Sequence, residues 1–346
     1  MRREKHASLL QHNTFGIEAR CQELVEYETV GELQTLLDSL DKDKLLHIGA
    51  GSNLLFCGDY NGSVLHSCIG GGEIVGEAQD EVLLRVGAGV TFDSLIAQCL
   101  GKGLHGLENL SLIPGEVGAS AVQNIGAYGA EAKDFIRCVE GVWMKNGKTF
   151  RMTNAECGYA YRHSIFKQEL RGQAAITHVT FALSRKFRPR LDYGGIRQAL
   201  ADKGFREDTL TAQQLRATII DIRRQKLPDP AELGNAGSFF MNPMVDEATL
   251  RRIQRDYPAA PHYAADQGRV KIPAAWLIEQ CGWKGRQMGP AAVHSRQPLV
   301  LVNLGGATGQ DILNLCEAVS ASVEERFGIR LRPEVNVIGE QTNSQG

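Results

Sequence analysis

Two glycine-rich stretches carry the first chemical signal. Residues 112–129, LIPGEVGASAVQNIGAYG, hold Gly115, Gly118, Gly126 and Gly129 with a single charged residue, Glu116. Residues 48–56, IGAGSNLLF, form a second stretch of the same kind. Glycine lets backbone approach a ligand closely and reach φ > 0, and successive bare N–H groups make a concavity suited to a diphosphate. Gly126 is a position where a side chain would deny that approach, and where a positive φ is expected. Gln123 and Asn124 add donors and acceptors able to read a planar heteroaromatic ring. No Gly-Lys-Ser/Thr follows either stretch, and Leu54 stands where a dinucleotide fingerprint needs its third glycine, so neither common phosphate motif is present. Two such cradles point to a large nucleotide cofactor held in another way. Read alone, each is also compatible with a glycine-rich turn, and Ser52 and Asn53 with capping of local backbone.

Three further side chains are candidates for chemistry. Arg162, in Tyr161-Arg162-His163-Ser164, is ringed in sequence by Tyr159, Tyr161 and Phe166, which favours a partly buried guanidinium aimed at an anion over a solvated one. Ser238 lies between Gly237 and Phe239-Phe240; without a G-x-S-x-G elbow it reads equally as a turn residue ahead of a buried strand. Glu334 alone would pass as half of a surface salt bridge with Arg332.

The elements that must position these residues are legible from periodicity. Thr29 with Glu32 makes a capping box before a helix carrying Leu33, Leu36, Leu37 and Leu40, and residues 45–48 form a strand running into GAGSN. Strands are expected at 81–86 and 175–183, with a hairpin of 137–144 and 148–152 turning at Asn146-Gly147. Thr91 opens a helix ending near Gly101. Residues 187–210 read as polar and irregular. Thr211 and Gln214 cap a helix that stops at Lys226 before Leu-Pro-Asp-Pro. Helices follow over 246–257, from Pro273 to before Gly282, and over 310–327; a strand covers 298–302. The alternation of 329–338 predicts a final strand, and 341–346 reads as a disordered tail.

The 346 residues allow two or three domains, and 43% hydrophobic with 23% charged residues is ordinary globular composition. Lys+Arg number 38 against Asp+Glu 40, so no bulk field recruits nucleic acid or an anionic membrane. The eight cysteines show neither C-x-x-C nor metal-ligand spacing. No run reaches the about 18 apolar residues of a spanning helix, and MRREKHASLL lacks a signal-peptide core, so a reduced cytoplasm is expected.

In order, GAGSNLLF, LIPGEVGASAVQNIGAYG, YRHSIFK, KLPDP, NAGSFFMNP and RPEVNVIG resemble the UDP-N-acetylenolpyruvoylglucosamine reductases, flavoenzymes of bacterial cell-wall precursor synthesis. The matching blocks fall within residues 13–339. The resemblance implies an α+β protein with a vanillyl-alcohol-oxidase-like (PCMH-type) FAD-binding fold and a C-terminal α+β substrate domain. Residues 1–70 would be a first FAD-binding subdomain, 71–210 a second joined by a return strand 329–340, and 211–328 the substrate domain. The implied reaction is NADPH-dependent reduction of UDP-N-acetylglucosamine enolpyruvate to UDP-N-acetylmuramate by a monomeric enzyme, a UDP-N-acetylmuramate dehydrogenase, with no metal, membrane or nucleic-acid partner.

By the same resemblance Arg162 is the catalytic cation, Ser238 the proton donor, and Glu334 a donor or the group orienting one. Substrate falls to Tyr193, in a Tyr193-Gly194-Gly195 loop that closes over it, and to Lys226, Asn242 and Gln297. Lys226 also suits a helix C-terminus for its charge alone. FAD falls to Gly49, Gly51, Ser52, Asn53, Ile113, Pro114, Gly115, Gly118, Ala119, Val122, Gln123, Gly126, Ile176 and Arg223. The chain departs from the pattern at His163, at Ala121, and at Glu116, whose negative charge beside the diphosphate cradle is expected to soften flavin affinity. The alternatives are an oxidase of the same flavin superfamily and a non-catalytic nucleotide-binding protein.

Overall fold

A computed structural model describes residues 1–193, 195–265 and 268–339. Gly194 of the tyrosine loop and the tail 341–346 lie outside the described residues. The chain forms two compact units, the first of residues 1–7, 21–51 and 60–225, the second of 8–20, 52–59 and 226–346. The boundary expected at 70/71 therefore falls inside the first unit, and the one at 210/211 close to its end.

The first unit contains a four-stranded sheet in the order Arg2–Lys5, Cys21–Tyr27, Tyr60–Ser67, Leu45–Ile48, with its last two pairings parallel. Helix α1 (Val30–Ser39) begins where Thr29 Oγ1 accepts the Glu32 N–H at 3.1 Å. Glu32 completes the box differently from the expected pattern, accepting the Glu28 N–H at 2.7 Å. Leu33, Leu36 and Leu37 are buried against Val25, Tyr27 and Leu65, the facing side of that sheet.

A second, antiparallel sheet runs Thr149–Thr153, Ile136–Trp143, Ala174–Ser184, Glu81–Gly87, Gly72–Ala78. The Asn146-Gly147 turn sits where expected, with Gly147 at φ +69°. Helices α2 (Phe92–Gly101) and α3 (Val117–Gln123) share this sheet's core through Leu95, Ile96, Val117, Ala121, Val179 and Phe181.

The stretch 187–210 is not irregular throughout. It contains helix α4 (Ile196–Asp202), which with Leu191 and Leu210 packs against Leu215, Ile219 and Ile222 of α5 (Ala212–Lys226). Only Ile196 and Leu200 mark its inner face, too few for a periodic signal amid Arg197, Gln198 and Asp202. Helix α5 carries the expected reciprocal cap, Gln214 N–H to Thr211 Oγ1 at 3.2 Å and Thr211 N–H to Gln214 Oε1 at 2.9 Å.

The second unit holds an antiparallel sheet in the order Gly234–Ser238, Val300–Asn303, Ala291–Val293, Gln287–Met288. Its helices are α6 (Glu247–Asp256), α7 (Ala274–Gln280) and α8 (Gly309–Phe327). Pro273 is the N-cap of α7 rather than its first residue. Thr308 and Asp311 form a capping box for α8, and Gly328, at φ +65°, ends it. The final strand is shorter than predicted. Ile329, Leu331 and Val335 are buried, but the segment divides between two partners: 332–334 bridges antiparallel to the Phe240 segment through Pro333, and only Asn336–Ile338 forms a regular ladder. That strand runs parallel to Leu54–Phe56 in the second unit, not as a return to the sheet of 71–210.

Asp93, in the first turn of α2, ties three segments of the first unit together. Its carboxylate takes both terminal nitrogens of Arg216 on α5, at 2.7 and 2.8 Å, and the N–H of Leu112 at the mouth of the long glycine loop. Burial would raise this carboxyl, but the Arg216 hydrogen bonds, the Leu112 N–H and nearby positive charge outweigh it and hold the pKa below its usual value. The pair therefore adds stability above the unfolded carboxyl pKa of about 4 and loses it as pH falls through the lower folded value. We predict that Asp93→Asn lowers unfolding stability at pH 7 by about 2 kcal/mol. The difference from wild type should shrink toward pH 3; equal denaturant midpoints at pH 7 would contradict this.

Candidate active site

In the first unit the two glycine stretches come together. A Cβ built on Gly49, at the end of the strand Leu45–Ile48, would lie 3.1 Å from Glu116 Oε2 and 3.2 Å from Ala119 Cβ. Gly51 and Gly115 take φ of +71° and +115°, conformations that L side chains resist. Gly118 is needed for packing, since its Cβ would meet Ala88 Cβ at 2.8 Å. Gly126 differs from expectation, as it does not lie in the left-handed region. Its constraint is space: a Cβ there would stand 2.9, 3.0 and 3.3 Å from Glu131 Cγ, the Ala130 carbonyl oxygen and Arg162 Nη1. Ile113, Ala119, Val122 and Gln123 are half-buried along the loop and α3, and Pro114 is exposed. Ile176 is buried in the core of the five-stranded sheet, in the same cluster as Val117 and Ala121 of α3, against which Ile113 and Val122 pack.

The backbone around this loop is strained. Leu112, Asn124, Tyr128 and Arg162 have φ of 58°, 46°, 50° and 54°, four of the six non-glycine residues with positive φ among those described. Such outliers cluster at functional sites because only an over-determined surrounding holds them. Asn124 is part of that surrounding and not a reader of a ring. It is fully buried, its Nδ2 donates to Glu131 Oε2 and the Ala160 carbonyl at 3.0 and 2.8 Å, and its Oδ1 accepts the Lys133 N–H at 3.0 Å. Ser164 Oγ donates to the Val122 carbonyl at 2.6 Å, fastening the Arg162 loop to α3.

Arg162 is half-buried, donates from Nη2 to the Gly126 carbonyl at 3.1 Å, and lies 5.6 Å over the Tyr161 ring. Tyr159 and Phe166 belong to the core instead. His163 turns its Nδ1 toward the Gly158 carbonyl at 3.0 Å, closing its own turn. On α5, burial pushes the Arg223 guanidinium pKa below its usual value, with the charge of Arg162 acting in the same direction and Tyr128 and Asp93 against it. Its buried Nε has no hydrogen-bond partner among the described residues. The two guanidinium groups thus lie close enough to feel each other's charge, with Arg162 bonded to the glycine loop at Gly126.

Glu116 does not present a bare charge there. His66 Nε2 lies 2.8 Å from its Oε1. Burial would lower the His66 pKa, but the hydrogen bonds and charges of Glu116, then Glu26, overcome it and hold it above the usual value. The expected penalty on flavin affinity is offset by this partner, which no local sequence signal announces.

The second unit brings the segments bearing Ser238 and Glu334 together. Ser238 ends the strand Gly234–Ser238 after a bulge in which Gly237 takes φ +68°. The Glu334 N–H donates to the Phe239 carbonyl at 2.7 Å, and the Met241 N–H to the Arg332 carbonyl at 3.0 Å, so the two segments run antiparallel. Phe239 and Phe240 are buried, ring centroids 5.3 Å apart, which anchors Ser238 at the edge of an apolar wall. Asn53 Nδ2 donates to the Glu334 carbonyl at 3.3 Å, and Ser52 precedes it in the same unit.

Of the expected substrate residues, Tyr193 is 53% exposed and meets Tyr128 edge-on at 6.5 Å, with its Cβ 3.2 Å from where a Gly129 side chain would stand. Lys226 is exposed at the end of α5. Asn242 Oδ1 accepts the Ala274 N–H at 2.9 Å, capping α7. Gln297 is half-buried, with its Oε1 3.4 Å from the Leu299 nitrogen.

The glycine loops with two guanidinium groups nearby fit FAD by their own geometry: side-chain-free backbone at positive φ at Gly51 and Gly115, and a buried Arg223 Nε without a partner among the described residues. This defines the first unit as a flavin-binding fold, and the FAD binding domain family matches residues 22–153. Residues 229–338 match the UDP-N-acetylenolpyruvoylglucosamine reductase, C-terminal domain. The UDP-N-acetylenolpyruvoylglucosamine reductase of Bacteroides fragilis is 52% identical over 97% of this chain and 100% of its own length. That of Amoebophilus asiaticus is 43% identical over 97% and 99%. A solved structure of the Thermus caldophilus UDP-N-acetylenolpyruvylglucosamine reductase has the same fold, with a TM-score of 0.68 at 24% identity over 98% of both chains. The chain belongs to the UDP-N-acetylenolpyruvoylglucosamine reductase family.

We predict that Gly126→Val abolishes flavin retention, since added methyl groups must displace backbone and Arg162. The flavin-to-protein ratio after gel filtration measures it. A folded variant with an unchanged ratio would remove this loop from the cofactor site.

Proposed function

We propose that this protein reduces UDP-N-acetylglucosamine enolpyruvate to UDP-N-acetylmuramate with NADPH, acting as a monomer in the cytoplasm. The observation that carries the residue assignment is the 2.7 Å bond from the Glu334 N–H to the Phe239 carbonyl, which holds Glu334 against the segment bearing Ser238. FAD, when bound and reduced by NADPH, would supply a hydride for C3 of the enol ether. Gly49, Gly51, Ile113, Pro114, Gly115, Gly118, Ala119, Val122, Gln123 and Gly126 line or shape its cradle, and Arg223 offers a cation to its diphosphate or to the substrate's.

The enol ether is conjugated to a carboxylate, so negative charge grows on that carboxylate as C3 is reduced. A fixed cation stabilises such charge far better in a dry site than in water. Arg162, already half-buried and held by the Gly126 carbonyl, takes that role. Ser238 gives its hydroxyl proton to C2, and Glu334 acts as donor or orients one. A hydroxyl is a poor acid at neutral pH, so it depends on low polarity from Phe239 and Phe240 and on nearby positive charge. Tyr193, Lys226, Asn242 and Gln297 hold the nucleotide sugar. Tyr193 suits a closing contact because it is exposed and meets the edge of Tyr128.

Among the described residues no helix is long and apolar enough to cross a membrane.

The roles separate into two half-reactions that anaerobic stopped-flow absorbance resolves. Ser238→Ala should bind flavin and bleach with NADPH at a near-normal rate. Its reoxidation by the enolpyruvyl nucleotide should slow by ~10²–10⁴-fold, the range for losing a general acid. Ser238→Cys should retain more activity than Ala. Slowed bleaching with normal reoxidation would show that Ser238 has been given the wrong role.

A further inference from the structure

The first unit's four-stranded sheet packs one face against α1, while the other carries buried Val64 and meets Glu116 of the glycine loop at His66. On the strand Tyr60–Ser67 and just beyond it, Leu65, Ser67 and Ile69 are buried, while His66 and Cys68 alternate to the second face. The parallel register sets Glu26, between buried Val25 and Tyr27, directly beside His66. Three potential metal ligands thus meet: Glu26 Oε1 lies 3.4 Å from His66 Nδ1, Cys68 Sγ lies 4.0 Å from that nitrogen, and all three ligand atoms fall within 4.8 Å of one another. Tetrahedral zinc with nitrogen, oxygen and sulfur ligands has edges of roughly 3.3–3.7 Å, so the Glu26–His66 edge already fits and side-chain rotations of up to about 1 Å would close the others.

Another carboxylate, from outside the trio, completes the resemblance to a metal centre. Glu116 Oε1 sits 2.8 Å from His66 Nε2. The tautomer that donates from Nε2 leaves the Nδ1 lone pair aimed at Glu26 and Cys68. A carboxylate on the far nitrogen of a ligating histidine is the usual device for fixing its ring and tautomer. Each member of the trio is half-buried. Arg2 Nη1 approaches the other Glu26 oxygen, Oε2, at 3.5 Å from an exposed side chain, and leaves Oε1 to face the histidine.

We propose that Glu26, His66 and Cys68 form a binding site for a borderline-soft divalent cation, Zn²⁺ by the chemistry of its donors, with Glu116 as the carboxylate that positions His66. Sequence spacing hides it, because a His-x-Cys on a strand and a glutamate on its neighbour match no contiguous zinc motif. Occupancy joins this face of the sheet to the cofactor loop through one hydrogen bond, since Glu116 also borders Gly49.

The test is calorimetric titration of chelator-treated, FAD-loaded protein with Zn²⁺, with elemental analysis after desalting. Wild type should take up one Zn²⁺ per chain. Glu116→Gln should weaken binding by ~10–100-fold, as for loss of an outer carboxylate, and Cys68→Ser or Glu26→Gln by more. Flavin absorbance and melting temperature of Cys68→Ser without zinc should match wild type, which separates this site from the flavin reading. If Cys68→Ser does not fold, Glu26→Gln decides, being a change at a half-buried position. No uptake by wild type, or uptake undiminished in the folded variants, overturns the site.

Discussion

The missing side chain at Gly49 is the constraint on which the rest of the cofactor site depends. It lets the strand Leu45–Ile48 deliver its backbone to within van der Waals reach of Glu116 and Ala119, so that two glycine segments far apart in sequence become one surface. A methyl group there would stand at 3.1 Å from a carboxylate oxygen, tighter than nearly all real contacts of that kind. The close approach creates an electrostatic difficulty, because it sets Glu116 where an anionic cofactor belongs. Two unit charges about 4 Å apart repel by roughly 4 kcal/mol near a protein surface. The hydrogen bond to His66 Nε2 at 2.8 Å satisfies the Glu116 oxygen and offsets that difficulty.

Around this contact the loop is held in conformations it would not adopt by itself. Leu112, Asn124, Tyr128 and Arg162 all sit at positive φ, and each is fixed by something specific. Asp93 takes the Leu112 N–H, Glu131 and Ala160 hold Asn124, Asn109 Nδ2 donates to the Tyr128 carbonyl at 2.8 Å, and the Ala160–His163 turn brackets Arg162. Positions of this sort cost of order 1–3 kcal/mol each. Their concentration beside two part-buried guanidinium groups fits a surface prearranged for an anion, where the donors need little reorganisation at the moment of binding or reaction.

How much can be read from the sequence follows from how locally each feature is encoded. The helices capped by Thr29 and Thr211, the helix ended by Gly328, the Asn146-Gly147 hairpin and the glycine stretches are legible because a cap, a turn or a bare backbone is decided within a few residues. Helix α4 is not, having only Ile196 and Leu200 to show. Alternation alone overstates the final strand, since it survives in Ile329, Leu331 and Val335 while the segment changes partner from Phe240, opposite Pro333, to Leu54–Phe56, beside Asn336–Ile338. Asn124 invites misreading as a ring contact because its partners at Glu131, Lys133 and Ala160 are a matter of tertiary fold. His66 is hidden for the same reason: its partner Glu116 lies 50 residues away.

The most direct measurement is the visible spectrum of the purified wild-type protein under anaerobic conditions. It should be yellow, bleach on adding NADPH, and regain its colour on adding UDP-N-acetylglucosamine enolpyruvate, with stoichiometric UDP-N-acetylmuramate formed. A colourless protein, or one whose reduced flavin is reoxidised by oxygen as fast as by the enolpyruvyl nucleotide, would contradict the account.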